Sequence, residues 1–82
     1  MTDRIRDILS KHGRLSVEKV STLADDADLY LAGLTSHASV NLMLALEAAF
    51  DVEFPDSMLK RSVFESVASI TEALRQLGAT AE

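Results

Sequence analysis

Apolar residues recur three and four positions apart in three segments of the chain, which is the spacing of a helix face that packs on a core. These segments predict helices over residues 3–12, 36–50 and about 65–77. The middle one, called the central helix, gives the strongest prediction, because Leu, Met, Ala and Glu favour a helix and neither Gly nor Pro interrupts it. Gly13 directly follows the first helix, where we expect a left-handed residue that closes it.

The connection between the first and central helices lacks this periodicity. Residues 14–35 contain isolated apolar positions, and residues 25–28 carry too much charge for a buried element. A loop longer than about 15 residues is unusual in a compact domain, and it is often functional or contains a short helix. We interpret the segment as an ordered connection held by its apolar residues. A short helical turn is expected after Pro55, through residues 58–60.

These elements predict an all-α fold. We expect a small four-helix bundle with three main helices, one short helix and a long loop between helices one and two. The whole chain, residues 1–82, makes a single domain, because a second core could not be built from so few residues.

Composition excludes several classes of site. The chain has no Cys, so it can form neither a disulfide nor a thiolate zinc site, and its two His show no metal-ligand spacing. No apolar run approaches the roughly 20 residues that a membrane helix needs, and the N-terminus lacks the apolar stretch of a signal peptide. We therefore expect a cytoplasmic protein that binds no membrane. We also expect a monomer.

The net charge of −5 is unevenly distributed. From Ser21 to Leu59 there is no Lys or Arg, while acids recur throughout that stretch. Such a surface argues against binding nucleic acid, whose phosphates need basic residues. It favours partners with a basic face, although ordinary solubilising charge would give the same pattern.

The central helix carries more apolar residues than one stripe accommodates. Val40 and Leu44 lie four positions apart, to one side of the residues that can face the core, which are Leu42, Met43, Leu46 and Phe50. Exposed, the pair would suit a partner helix; in a tightly surrounded helix, both would be buried. The pattern alone does not separate these interpretations.

Ser36 begins the central helix. As a residue type it is a typical helix cap, and the cap is the expected role when the serine is considered alone. The backbone N–H groups at a helix start also favour an anion, so a phosphodiester on this serine would lie in a favourable field.

The order of motifs around Ser36 resembles the acyl and peptidyl carrier proteins. The motifs are D-L-Y-x-x-G-L-T-S at residues 28–36, V-N-L-M-L-A-L-E at 40–47, F-D-V-E-F-P-D at 50–56 and F-E-S-V-A-S-I at 64–70. The resemblance implies that a phosphopantetheinyl transferase moves a 4'-phosphopantetheine arm from coenzyme A onto Ser36. It further implies that the chain is no enzyme: the arm holds an acyl or aminoacyl group as a thioester for partner enzymes. Because the chain has no Cys, the thiol must come from the arm.

The chain departs from the usual family pattern at several positions. Thr35 and His37 replace an Asp and a Leu, and the acids that carriers of fatty acid synthesis place on this helix are absent here apart from Glu47: the matching residues are Ala38, Asn41, Ala48 and Ala49. The resemblance therefore favours an amino acid or a specialised acyl group, loaded by an acyl or amino acid ligase and passed to a downstream transferase. The expected docking residues are Thr35, His37, Val40, Asn41 and Leu44.

Two functions other than a carrier are compatible with a small helical bundle of this kind. An unmodified helical protein-interaction module would have the same core and an ordinary cap serine. A hydrolase using Ser36 and His37 is disfavoured, because neighbours on a helix do not face each other and no third residue orients the imidazole. Tyr30 is either a core anchor or a contact beside the arm. His12 suits the negative end of the first helix.

Overall fold

The computed structural model describes residues 2–13 and 15–79. Within them the chain forms six α-helices and one 3₁₀ turn: α1 (Thr2–His12), α2 (Val17–Thr22), α3 (Leu29–Ala32), α4 (Ser36–Phe50), the turn Asp56–Met58, α5 (Arg61–Phe64) and α6 (Val67–Gln76). The three long helices α1, α4 and α6 match the three predicted ones and confirm the all-α bundle. The turn at Asp56–Met58 lies beside the predicted one, whereas α5 is a helix that the sequence pattern did not indicate.

A single apolar core joins the long helices. α1 packs against both α4 and α6, and the largest side chains removed from solvent are Ile5, Leu9, Leu29, Leu42, Leu46, Val67, Ile70 and Leu74. The predicted inner face of α4 is confirmed for Leu42 and Leu46, while Met43 and Phe50 lie half-buried at its edge. Burial of these apolar side chains is the main favourable term in the stability of such a small bundle.

The connection that precedes α4 is ordered, as predicted, and contains the two short helices α2 and α3. The carboxylate of Asp28 caps α3 by accepting from the backbone N–H groups of Tyr30 and Leu31. Further backbone bonds tie the connection to the far end of the chain: the Leu29 N–H donates to the Glu65 carbonyl at 2.7 Å. Between residues 15 and 35 no charged residue is buried, while apolar ones fix the segment to the core.

Gly13 ends α1 for a different reason than the predicted one. Its φ is not positive, so the expectation of a left-handed residue is wrong. Its N–H donates to the Leu9 carbonyl at 2.8 Å, and a Cβ at this position would lie only 2.7 Å from that same oxygen. The glycine is therefore required by close backbone approach.

α6 begins two residues later than predicted. Ser66 caps it, accepting from the Ser69 N–H at 3.0 Å, and the Ser69 hydroxyl accepts in return from the Ser66 N–H at 3.1 Å. This reciprocal pair is a capping box, which satisfies donors that a helix start leaves open. In the described part of the chain, no helix is long and apolar enough to cross a membrane.

Candidate functional site

Ser36 is the first residue of α4, and the cap lies one position before it. The Thr35 hydroxyl accepts a hydrogen bond from the Ala38 N–H at 3.0 Å, and Thr35 has the extended backbone of a cap residue. The expectation that Ser36 caps the helix is therefore wrong. Its side chain is exposed, and its hydroxyl makes no hydrogen bond to any of the described residues. The hydroxyl is thus available for chemistry.

A tight reversal between α3 and α4 brings Ser36 to the surface. Gly33 closes α3 with φ +126°, a backbone conformation that residues with a Cβ rarely adopt. Leu34, which follows, is buried in the core and anchors the chain before it turns into α4. The G-x-x-S spacing thus has a structural meaning: the glycine makes the turn, and the serine lies where the turn opens to solvent.

A groove of about 320 Å³ opens beside Ser36, between α4 and α5. We call it the Ser36 groove; its lining residues are Tyr30, Ser36, Ser39, Val40, Met43, Leu59, Lys60, Arg61 and Phe64. Apolar side chains make up most of its wall. Such a concave, largely apolar site with a few polar groups is typical of small-molecule and cofactor binding.

The position of Tyr30 is compatible with both of its expected roles, a core anchor and a contact beside the arm, and the second stays a prediction. It is half-buried against the core, and it lines the Ser36 groove. The Arg61 guanidinium lies over its ring, 4.3 Å from the centroid. This cation–π contact joins α3 to α5 across the groove.

All five expected docking residues lie on the accessible side of α4 or at its start. Val40 is 52% exposed and Leu44 54%, which decides between the two interpretations of this pair in favour of a free apolar surface. Thr35, His37 and Asn41 are exposed beside them. The surface formed by these five residues is called the docking face.

Two exposed apolar residues outside α4 were not indicated by the sequence. Leu31 is 85% exposed on α3, and Leu59 is 46% exposed at the rim of the Ser36 groove. Leu31 could have been found from the cap at Asp28, because a helix that buries Leu29 and Ala32 turns Leu31 outward. Leu59 depends on a contact between distant segments and left no local signal.

The acids that recur between Ser21 and Leu59 do not line the surface beside Ser36. None lines the Ser36 groove within the described residues, and the first turn of α4 contains none. Glu47, the acid expected to remain for recognition, accepts a hydrogen bond from the Phe54 N–H at 2.9 Å. Its carboxylate therefore holds the segment after α4. Among the described residues, the charged ones that line the Ser36 groove are Lys60 and Arg61.

The histidines take no part in a nucleophilic arrangement. His37 is exposed on the first turn of α4, and no hydrogen bond joins it to Ser36 or to any other described residue that could orient its ring. His12 ends α1 at the surface, as expected, beside Asn41 and Leu44. No group of three or more metal-binding side chains comes together in the described ranges.

Comparison with known proteins agrees with this geometry. The family model described as "Phosphopantetheine attachment site" matches residues 3–77. The aminoacyl carrier protein of Agrobacterium fabrum is 52% identical over 75 residues, which cover 92% of this chain and 89% of that protein.

Solved structures give the same result. One chain in the crystal structure of an engineered Bradyrhizobium japonicum glycine:[carrier protein] ligase, complexed with carrier protein from Agrobacterium tumefaciens and AMP, is 52% identical. It superposes with a TM-score of 0.86, and the match covers 92% of this chain and 99% of that one. A second chain, 35% identical, comes from the structure of the Bradyrhizobium japonicum ligase complexed with glycylated carrier protein. Its TM-score is 0.65, with 85% of this chain and 96% of that one covered.

The residues at the start of α4 fit the group that the family carries. Phosphopantetheine needs an accessible hydroxyl, which Ser36 offers, and room for its chain, which the adjoining groove provides. A hydrolase and an unmodified interaction module both lack support from the family and its relatives. The chain belongs to the phosphopantetheine-attachment family of carrier proteins, which hold their cargo for other enzymes and have no catalytic activity of their own.

Proposed function

We propose that the Ser36 hydroxyl is the attachment point of 4'-phosphopantetheine, transferred from coenzyme A by a phosphopantetheinyl transferase. The observation that carries the proposal is the free, exposed hydroxyl at the first position of α4, beside the Ser36 groove. The neighbouring hydroxyl of Thr35 is engaged as the helix cap. Ser39 also lines the groove, but its hydroxyl donates to the Ser36 carbonyl at 2.7 Å.

The start of α4 favours the phosphate of such an arm. The N–H groups of Ser36 and His37 have no acceptor among the described residues, since the cap on Thr35 engages the Ala38 N–H. These two donors and the helix dipole stabilise negative charge at this point. No acid on the first turn opposes it. When bound, phosphopantetheine supplies a thiol that carries cargo as a thioester, and the chain has no thiol of its own.

The proposed cargo is an amino acid, loaded by an amino acid ligase and removed by a downstream transferase. The similar protein of Agrobacterium fabrum is an aminoacyl carrier protein, and similar carrier chains were solved with glycine:[carrier protein] ligase. The lack of acids on the first turn of α4 and on the Ser36 groove supports the same assignment, because a partner that reads acids would gain little here. The protein is proposed to act as a monomer in the cytoplasm.

Partner enzymes are proposed to bind the docking face. Val40 and Leu44 present apolar surface that is already exposed, and burying it in a complex would stabilise that complex. The side chains of Thr35, His37 and Asn41 are exposed and polar, and they can fix the orientation of a partner.

Intact-mass measurement tests the attachment. The purified chain is incubated with coenzyme A, magnesium and a broad-specificity transferase, and we expect the mass to rise by one arm. Ser36→Ala should gain nothing, whereas the matched control Ser39→Ala, from the same groove, should gain the arm. An arm on Ser36→Ala, or no arm on the native chain, would contradict the proposal.

The cargo is tested on the arm-bearing protein. Amino acid ligases and fatty acyl ligases are supplied in parallel, each with its acids and ATP, and the loaded mass is measured. We expect loading by an amino acid ligase. Preferential charging with a fatty acyl group would overturn the aminoacyl assignment and leave Ser36 as the attachment point.

A further inference from the structure

Two basic residues lie on the Ser36 groove together with Ser36 itself. Lys60 and Arg61, at the start of α5, are its only basic lining residues among those described, and no acid accompanies them. They are also the first Lys or Arg of the sequence after Lys19. A chain with a net charge of −5 thus places positive charge at the one groove that contains the proposed attachment point.

Arg61 is held in place with its hydrogen-bond donors free. Its guanidinium lies over the Tyr30 ring, with Cζ 4.3 Å from the ring centroid, and Tyr30 is itself packed against the core. The guanidinium keeps its five N–H donors, which form a planar fork, and none of them bonds to a described residue. An anion beside the ring would therefore find a pre-positioned fork of donors.

Neither Lys60 nor Arg61 forms an ion pair with any carboxylate in the described part of the chain. By contrast, Arg6 pairs with Asp25, and Lys11 pairs with Asp7 at 3.1 Å. Within the described residues, the two basic groups on the groove thus have no carboxylate at ion-pair distance. An anion on the groove would gain their attraction without displacing a carboxylate.

We propose that Lys60 and Arg61 bind the phosphodiester of the arm on Ser36. This inference rests on the proposed attachment at that serine. A phosphodiester carries a single negative charge. The planar donor fork of an arginine fits its oxygens better than the ammonium group of a lysine does. The contact restricts the base of the arm to the α5 side of the groove. Without the contact, the base of the arm would be free to rotate in solvent.

The phosphorus NMR signal of the arm-bearing protein tests the contact. We expect the signal of the folded native protein to differ from that of the same protein unfolded in urea. In Lys60→Gln/Arg61→Gln, and in about 0.5 M NaCl, which screens exposed charges, at least half of this difference should disappear. Arg61→Lys, which keeps the charge but loses the planar fork, should give an intermediate value.

The matched control is Arg75→Gln, which removes an exposed arginine from α6, away from the groove. It should leave the phosphorus signal unchanged. Equal phosphorus signals in the native protein and in Lys60→Gln/Arg61→Gln at low salt would overturn the contact. A signal change in Arg75→Gln as large as that in the double variant would also overturn it, because the effect would then come from net charge alone.

A second measurement separates this inference from the attachment. The backbone amide signals of residues 60–64 are compared before and after the arm is added; they should move in the native protein and stay still in Lys60→Gln/Arg61→Gln. If intact mass shows no arm on Ser36, both proposals fail. An arm on Ser36 with unmoved amide and phosphorus signals overturns the phosphate contact alone.

Discussion

The Thr35 hydroxyl accepts the Ala38 N–H at 3.0 Å, so the residue beside Ser36 performs the capping that a serine at a helix start would otherwise perform. The two adjacent hydroxyl groups consequently have different environments. One is engaged in a hydrogen bond that stabilises α4, and the other is exposed and unbonded within the described structure. We therefore expect that substitution can change stability and the proposed attachment separately.

Thr35→Ala should lower the free energy of unfolding by about 1 kcal/mol, because the Ala38 N–H loses its acceptor. Ser36→Ala should change it by less than about 0.5 kcal/mol, since the side chain is exposed and unbonded. Thr35→Ser, which keeps the hydroxyl, is the control and should retain most of the native stability. Urea unfolding followed by circular dichroism measures all three. A loss with Ser36→Ala as large as that with Thr35→Ala would place the cap on Ser36.

Glu47→Ala should destabilise the protein by about 1–2 kcal/mol, because the partly buried N–H of Phe54 loses a charged acceptor. Glu47→Gln retains an acceptor oxygen and should cost less. Glu53→Ala removes an exposed acid from the same segment and should be nearly neutral. The measurement is again urea unfolding; equal stabilities of Glu47→Ala and Glu53→Ala would show that the Glu47 contact contributes nothing.

Gly33→Ala should destabilise the turn before Ser36 by about 1–2 kcal/mol, because alanine is strained at φ +126°. The new Cβ would also lie 3.3 Å from Leu15 Cδ2. Gly78→Ala is a matched control: its φ is also positive, at +89°, but a Cβ there meets nothing within 4 Å. We expect a larger loss of stability for Gly33→Ala, together with slower attachment of the arm. A larger loss for Gly78→Ala would contradict the assigned role of the turn.

Val40→Ser and Leu44→Ser should each reduce kcat/KM for ligase loading about tenfold, which corresponds to about 1.4 kcal/mol of lost apolar contact. Stability should change little, because both side chains are about half exposed. The proteins are first given the arm, so that the assay reports the ligase alone.

The control for this pair is Val17→Ser on α2, where an apolar side chain is 71% exposed away from the docking face. It should leave loading unchanged. Normal loading of Leu44→Ser and Val40→Ser would show that the ligase binds elsewhere.

The long helices could be predicted from the sequence, because a helical period depends on short-range information. The role of Ser36 follows from the order of motifs along the chain and stays a prediction. The period of apolar residues in α4 correctly indicates Leu42 and Leu46 as its inner face. The choice between Thr35 and Ser36 as cap was missed, since both residue types cap well and only the backbone angles of the folded chain decide.

Features formed by distant segments were not predictable in the same way. The Ser36 groove needs α5 to lie beside α4, and the stacking of Arg61 on Tyr30 joins residues that are far apart in the sequence. Four-residue helices such as α3 and α5 are also too short to display a helical period. The charge pattern similarly indicated an acidic region between Ser21 and Leu59. The folded chain nevertheless places Lys60 and Arg61 on the Ser36 groove.

Two backbone bonds tie the connection before α4 to the C-terminal helices. The Leu29 N–H donates to the Glu65 carbonyl at 2.7 Å, and the Ala68 N–H donates to the Asp25 carbonyl at 2.8 Å. The segment before Ser36 therefore cannot detach without exposing the start of α6, so the two should exchange their amide hydrogens as one cooperative unit. We therefore expect the stability of α6, a helix without a residue on the Ser36 groove, to limit how often the turn before Ser36 opens.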